Sequence, residues 1–317
     1  MYEKNLTETT NFPKVIGQTK ALNIIDQALE NKRLPHAYLF IGPKGVGKKT
    51  IATVLAQRLN CRQNTPLSAP CEICSSCRRI ERGLHPDIKI IYPEEGYFKI
   101  DQILAIQSEL QYKSWEKAHK VYILDEAETF TTEAANALLK TLEEPPDKVT
   151  LILTVERERK LLTTIVSRCQ KIYFSYLPQN LVAEKISALR KISLGQAQIL
   201  AQASEGSLGL ALKLADDNFL EEREKTVVLW SRLKQLSLPE IIEESGDYPC
   251  KREELKKFNQ TLLTYAREKF YQEPSRQHTK ILERIILAQK ELDQNLNVGL
   301  VRDNLFLDLA GLLTEKI

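Results

Sequence analysis

The segment Gly42-Pro43-Lys44-Gly45-Val46-Gly47-Lys48-Lys49-Thr50 constrains this chain more than any other. It follows the apolar run Ala37-Tyr38-Leu39-Phe40-Ile41 and precedes an amphipathic run carrying Ile51, Val54, Leu55 and Leu59. Strand, glycine-rich turn and helix in that order are the context a phosphate-binding loop requires. In such a loop the backbone N–H groups turn inward and the helix N-terminus adds positive potential, while the lysine reaches the terminal phosphates of ATP or ADP. Gly42, Gly45, Gly47 and Lys48 fit that pattern, and the next position does not. A hydroxyl to hold Mg²⁺ belongs where Lys49 stands, and Thr50 comes one residue late. One residue along a helix turns a side chain by about 100°, so Thr50 is not expected to take over. The loop alone leaves three readings open: a site that hydrolyses nucleotide, a descendant of one, or a glycine turn without a ligand.

Asp125-Glu126 supplies the other half of such a site. The buried run Lys120-Val121-Tyr122-Ile123-Leu124 ends in these acids. Asp125 is placed for the Mg²⁺ water shell and Glu126 for polarising an attacking water. Acids often end a buried strand simply to meet solvent, but after a phosphate loop, with alternating α/β structure between, the pair points to nucleotide chemistry.

Six cysteines are present, and Cys61, Cys71, Cys74 and Cys77 spell C-x9-C-x2-C-x2-C, while Cys169 and Cys250 stand alone. Four thiolates around one centre suit a structural Zn²⁺, because a closed four-ligand shell leaves no position for substrate. Disulfides and an iron–sulfur cluster are the alternatives, the first opposed by a reducing compartment. His85 is a spare ligand, though His85-Pro86-Asp87 reads as a turn into the next strand.

Strand patterns at 37–41, 87–92, 120–126, 149–155 and 171–174 alternate with helical stripes, which predicts a parallel sheet covered by helices on both faces. The helix Glu133–Glu144 is stopped by Pro145-Pro146. After residue 174 strand signals cease, short helices occupy 179–215, and longer Leu/Ile-striped helices fill 219–317. The expected division is an α/β domain over 1–175 with an insertion at 61–77, a small helical domain over 176–217 and an all-helical domain over 218–317. No apolar run reaches the roughly 18 residues of a membrane span. The N-terminal Met1-Tyr2-Glu3-Lys4 lacks the layout of a signal peptide, so the cytoplasm is the expected compartment. A formal net charge of +3 is too small over a chain of 317 residues to argue for nucleic acid by itself.

Together with these motifs, Leu124-Asp125-Glu126-Ala127, Leu138-Leu139-Lys140-Thr141-Leu142-Glu143-Glu144-Pro145-Pro146 and Ser167-Arg168-Cys169 resemble the bacterial clamp-loader subunits of DNA polymerase III. The resemblance runs over about residues 13–215. It implies an AAA+ module, a helical lid and a helical collar, assembled as a hetero-pentamer with motor-type gamma/tau subunits and delta. That ring would load the sliding clamp onto primed DNA. Read without the family, Arg168 is a lone helix-end charge. The resemblance makes it an arginine finger that enters a neighbour's ATP site. In Gly206-Ser207-Leu208-Gly209-Leu210-Ala211-Leu212, Gly209 stands where a motor subunit carries a sensor arginine. Losing both that cation and the Mg²⁺ hydroxyl predicts the weakly hydrolysing or inert delta′ class, with the ATP-hydrolysing motor class as the alternative.

Overall fold

The computed structural model describes residues 15–114 and 119–314. Met1–Lys4, on which the absence of a leader is read, lie outside the described residues. The described chain forms two compact units: the residues up to Lys185 with Glu205–Leu210, and Ile186–Ser204 with those from Ala211 onward.

The first unit runs α1 (Thr19–Glu30), β1 (Ala37–Ile41), α2 (Lys48–Asn60), α3 (Ser75–Glu81), β2 (Ile88–Ile91), α4 (Ile100–Leu110), β3 (Lys120–Leu124), α5 (Thr132–Glu143), β4 (Val149–Val155), α6 (Thr163–Val166) and β5 (Gln170–Tyr173). The five strands form one parallel sheet in the order β2-β3-β4-β1-β5. The three inner strands are buried along their whole length, which explains why they read as continuous apolar runs instead of alternating ones. Their side chains still alternate between two cores. Leu39, Leu124, Leu151 and Leu153 meet α4 and α5 through Ile103, Ile106, Leu138 and Leu142. Tyr38, Phe40, Ile123 and Ile152 meet α1 and α2 through Leu22, Ile25, Ile51 and Leu55. Helices thus cover both faces, as the alternating pattern predicts.

One difference lies at the end of β3. The strand stops at Leu124, and Glu126 adopts a left-handed conformation with φ 62°. The turn carries both acids out of the sheet, where strand alternation would have sent them to opposite faces.

The helices α7 (Gln179–Arg190), α8 (Leu194–Ala203) and α9 (Leu208–Asp216) precede α10 (Phe219–Leu233), α11 (Leu238–Gly246), α12 (Arg252–Gln272), α13 (Arg276–Asp293) and α14 (Val298–Thr314). The boundary between the units falls within α7 and again within α9. In the second unit α13 buries Ile281, Ile285, Ala288 and Leu292, a single helical stripe, against Leu262, Leu305 and Phe306. Among the described residues no helix is long and apolar enough to cross a membrane.

Candidate functional site

In a parallel sheet the strands' C-terminal ends share one edge, where ligands of open α/β sheets bind. The glycine loop leaves β1 there, fixed by the Gly42 N–H donating to the Val155 carbonyl at 3.0 Å. Asp125 and Glu126 leave β3 at the same edge, with only β4 between. The fold therefore brings Gly42–Thr50 and the acid pair together.

The loop's three lysines are engaged with the protein itself. Lys48 is 8% exposed and donates to the carbonyls of Gly42 and Pro43, the latter at 2.8 Å. Burial pulls its pKa down. Lys44 Nζ lies 2.7 Å from Glu126 Oε1, and this hydrogen bond raises the Lys44 pKa. Lys49 Nζ lies 3.6 Å from Asp125 Oδ2 and 3.3 Å from the Tyr92 hydroxyl, over the Tyr92 ring. Burial acts to lower the Lys49 pKa, but Tyr92 and Asp125 outweigh it and raise the value. Thr50 is exposed, and Lys49 is the residue that faces Asp125. Each acid of the pair therefore faces an ammonium from the loop.

Segment 205–210 closes on the same loop. The Gly209 N–H donates to the Gly45 carbonyl at 2.9 Å, and Ser207 Oγ donates to the Lys44 carbonyl at 2.9 Å. The approach is so tight that a Cβ on Gly209 would sit 2.8 Å from Gly45 Cα. Gly45 has φ +75°, and a Cβ there would collide with Ser207 Oγ. Glycine at both positions is what allows two backbones to touch.

The four insertion cysteines converge, their sulfurs all within 4.8 Å of one another. Cys61 caps the C-terminus of α2 and Cys74 the N-terminus of α3. The Asn64, Cys74 and Cys77 N–H groups donate to the sulfurs of Cys61, Cys71 and Cys74 at 3.3–3.4 Å. Burial raises the Cys74 thiol, but the N–H groups of Cys77 and Arg62 and its thiol neighbours outweigh it and bring it down to about 6. Such N–H···S contacts stabilise thiolate, the form that ligates metal. The donor set fits a tetrahedral thiolate-bound ion. His85 is outside it: its Nδ1 accepts the Asp87 N–H at 3.2 Å in the turn into β2.

Arg168 lies elsewhere. It precedes β5, whose register pairs Tyr38 with Gln170 and Ile41 with Tyr173. Arg168 is thus level with the start of β1, about six residues or ~20 Å of strand from Gly42. Its Nη2 lies 2.7 Å from Glu143 Oε1, and its Nη1 donates to the Thr164 carbonyl at 3.0 Å.

Comparison with known proteins agrees with this architecture. The family model described as "DNA polymerase III, delta subunit" matches residues 17–178. The chain belongs to that family. It is similar to DNA polymerase III subunit delta′ of Bacillus subtilis, 36% identical over 69% of this chain and 65% of that one. It also resembles subunit tau of the same organism, 33% identical over 65% of this chain and 37% of that one. The matched region thus spans less than two thirds of either relative. A crystal structure of a DNA polymerase III gamma subunit-related protein from Thermotoga maritima superposes with a TM-score of 0.53 at 20% identity, covering 94% of this chain and 100% of that chain. The fold is that of an AAA+ module followed by a helical C-terminal region.

Family motifs do not single out several residues that the site uses. Thr154, 1% exposed on β4, donates to Asp125 Oδ1 at 2.6 Å and accepts the Glu126 N–H at 3.2 Å. The strand carries two buried threonines, Thr150 and Thr154, and the sequence does not say which of them meets the acids. Gln18 ties the Val46 carbonyl at 3.3 Å to Ser175 at 2.6 Å, holding the loop from its far side. Tyr92 carried no signal by type or spacing, and although Lys44 and Glu143 lie within quoted motifs, nothing in those motifs names their partners Glu126 and Arg168.

Proposed function

We propose that this chain is the delta′-type subunit of the DNA polymerase III clamp loader, a protein that assists ATP-driven clamp loading and does little or no hydrolysis itself. The observation that carries the reading is the pairing of Asp125 with Lys49 and of Glu126 with Lys44. Mg²⁺ would need Asp125 free of a competing cation, and an attacking water would need Glu126 as an unpaired base. The exposed Lys44–Glu126 pair adds little stability. The two pairs put positive charge where a motor holds its metal.

In this reading residues 1–175 form the AAA+ domain, 176–217 the lid and 218–317 the collar, within a cytoplasmic hetero-pentamer with gamma/tau and delta that acts on the sliding clamp and primed DNA. ATP or ADP would be held by Gly42, Gly45, Gly47, Lys48 and Thr50, with Lys49, Asp125 and Glu126 beside the phosphates. Binding first requires Lys48 to leave the Gly42 and Pro43 carbonyls. Arg168 serves a neighbour's nucleotide, since ~20 Å of strand separates it from its own loop. The motor-type alternative draws on the retention of Lys48, Asp125 and Glu126.

Steady-state ATP turnover by the purified chain separates the two. We expect no turnover above a Lys48→Ala control. A rate that rises with Mg²⁺ and is abolished by Lys48→Ala would assign the chain to the motor class.

Cys61, Cys71, Cys74 and Cys77 would hold one structural Zn²⁺, joining the end of α2 to the start of α3. Elemental analysis of protein purified without chelator is expected to find about one zinc per chain. Chelation should expose the insertion to protease while the parallel sheet stays folded, because the sheet's two cores do not include the cysteine cluster. Iron in place of zinc, or no metal, would overturn this assignment.

A further inference from the structure

Glu143 ends α5, followed by Glu144 and then Pro145-Pro146. A carboxylate in the last turn of a helix faces the negative end of the helix dipole and is disfavoured there, and a second acid beside it adds repulsion. Such a position is tolerated when a cation answers it, and Arg168 does so with Nη2 2.7 Å from Glu143 Oε1. The second anchor is the Thr164 carbonyl on α6, 3.0 Å from Nη1.

The backbone around Arg168 is pinned independently. Ile165 and Cys169, three residues before it and one after, are buried in the core that α5 also lines. Burial pushes the Cys169 thiol up to about 12, so it packs as a neutral group. The main chain is thus fixed by packing, and the guanidinium by one contact on each of two helix ends. An arginine has five N–H donors. With two engaged, three remain, on a side chain that is 36% exposed.

We propose that Glu143 is a positioning residue that holds the Arg168 guanidinium oriented for a polyphosphate bound by a neighbouring subunit. This rests on the reading of Arg168 as a group acting in trans. A free arginine must lose rotamer entropy on meeting phosphate, whereas one held at two points has lost most of it already. Pre-orientation lowers the barrier because reacting geometries tolerate only small misplacements. The carboxylate touches neither substrate nor reacting atom; it acts through Arg168.

A double-mutant cycle in the reconstituted complex with a motor-type subunit, clamp and primed DNA tests this by stimulated ATP hydrolysis. Arg168→Ala should slow the complex, and Glu143→Ala should slow it by about 3- to 10-fold. Glu143→Gln, which keeps an acceptor oxygen, should recover most of that loss. Glu143→Ala on top of Arg168→Ala should add nothing, the mark of a residue acting only through its partner. Effects that add would assign Glu143 a separate structural role and overturn the inference. A Glu143→Ala complex at or above the unmutated rate, with Arg168→Ala still slow, would make the contact idle or a restraining latch, and would also overturn it. An Arg168→Ala complex at the unmutated rate would instead overturn the in-trans reading itself.

Discussion

Arg168→Ala should leave the isolated chain folded and metal-bound, and should lower clamp- and DNA-stimulated ATP hydrolysis by the complex about 10-fold or more. The side chain is part-exposed and its contacts with Glu143 and Thr164 are peripheral, so its loss leaves the cores intact. Its proposed target is the charge redistributing on a neighbour's γ-phosphate, where arginine fingers contribute roughly 10³–10⁵ in rate in favourable systems. The expected loss is smaller because other sites in the ring would keep their own fingers. Arg168→Lys should rescue poorly, since a point ammonium lacks the planar fork that meets two oxygens at once. Clamp loading at the unmutated rate by the Arg168→Ala complex would return Arg168 to a helix-end charge.

Gly209→Arg, which introduces the side chain that the family resemblance implies for a motor subunit, should fail to create an ATPase even when combined with Lys49→Thr. The reason lies in the backbone. Any Cβ at position 209 would stand 2.8 Å from Gly45 Cα and 3.1 Å from the Gly45 carbonyl oxygen, atoms that have no flexible side chain to yield. Segment 205–210 must then leave the loop, losing the bond from the 209 N–H to Gly45 and straining that from Ser207 to Lys44. We expect about 2–3 kcal/mol less protection, read as ~30- to 150-fold faster hydrogen exchange at residues 207–210, with β1 and β4 amides unchanged. Gly209→Ala should show most of the same effect, because the first carbon is the obstacle. Robust Mg²⁺-dependent turnover by the Gly209→Arg, Lys49→Thr chain would mean that two side chains alone separate this protein from a motor.

Local signals carried much of the architecture. Apolar runs of strand length between amphipathic helices were sufficient for a parallel sheet with two helical layers, because burial on both faces leaves that signature and few others. Cysteine spacing was sufficient for the four-thiol cluster, since Cys71, Cys74 and Cys77 lie within one loop and helix turn. The strand, glycine turn and helix of 37–60 were legible because that context is itself local. The end of β3 was misread by two residues, because the left-handed turn at Glu126 leaves no mark in an acidic residue.

The sequence by itself determined the fold class, the edge at which the loop and the acids meet, and the lysine in place of a hydroxyl at position 49. Only the tertiary structure decided what those groups touch. Lys44 meets Glu126 across 82 residues of chain, Ser207 meets the Lys44 carbonyl across 163, and Arg168 meets Glu143 across 25. Periodicity and spacing report on neighbours within a few turns of helix or strand. A lysine that reaches a carboxylate and a lysine that reaches solvent are the same letter in the same pattern, and the packing of distant segments alone tells them apart.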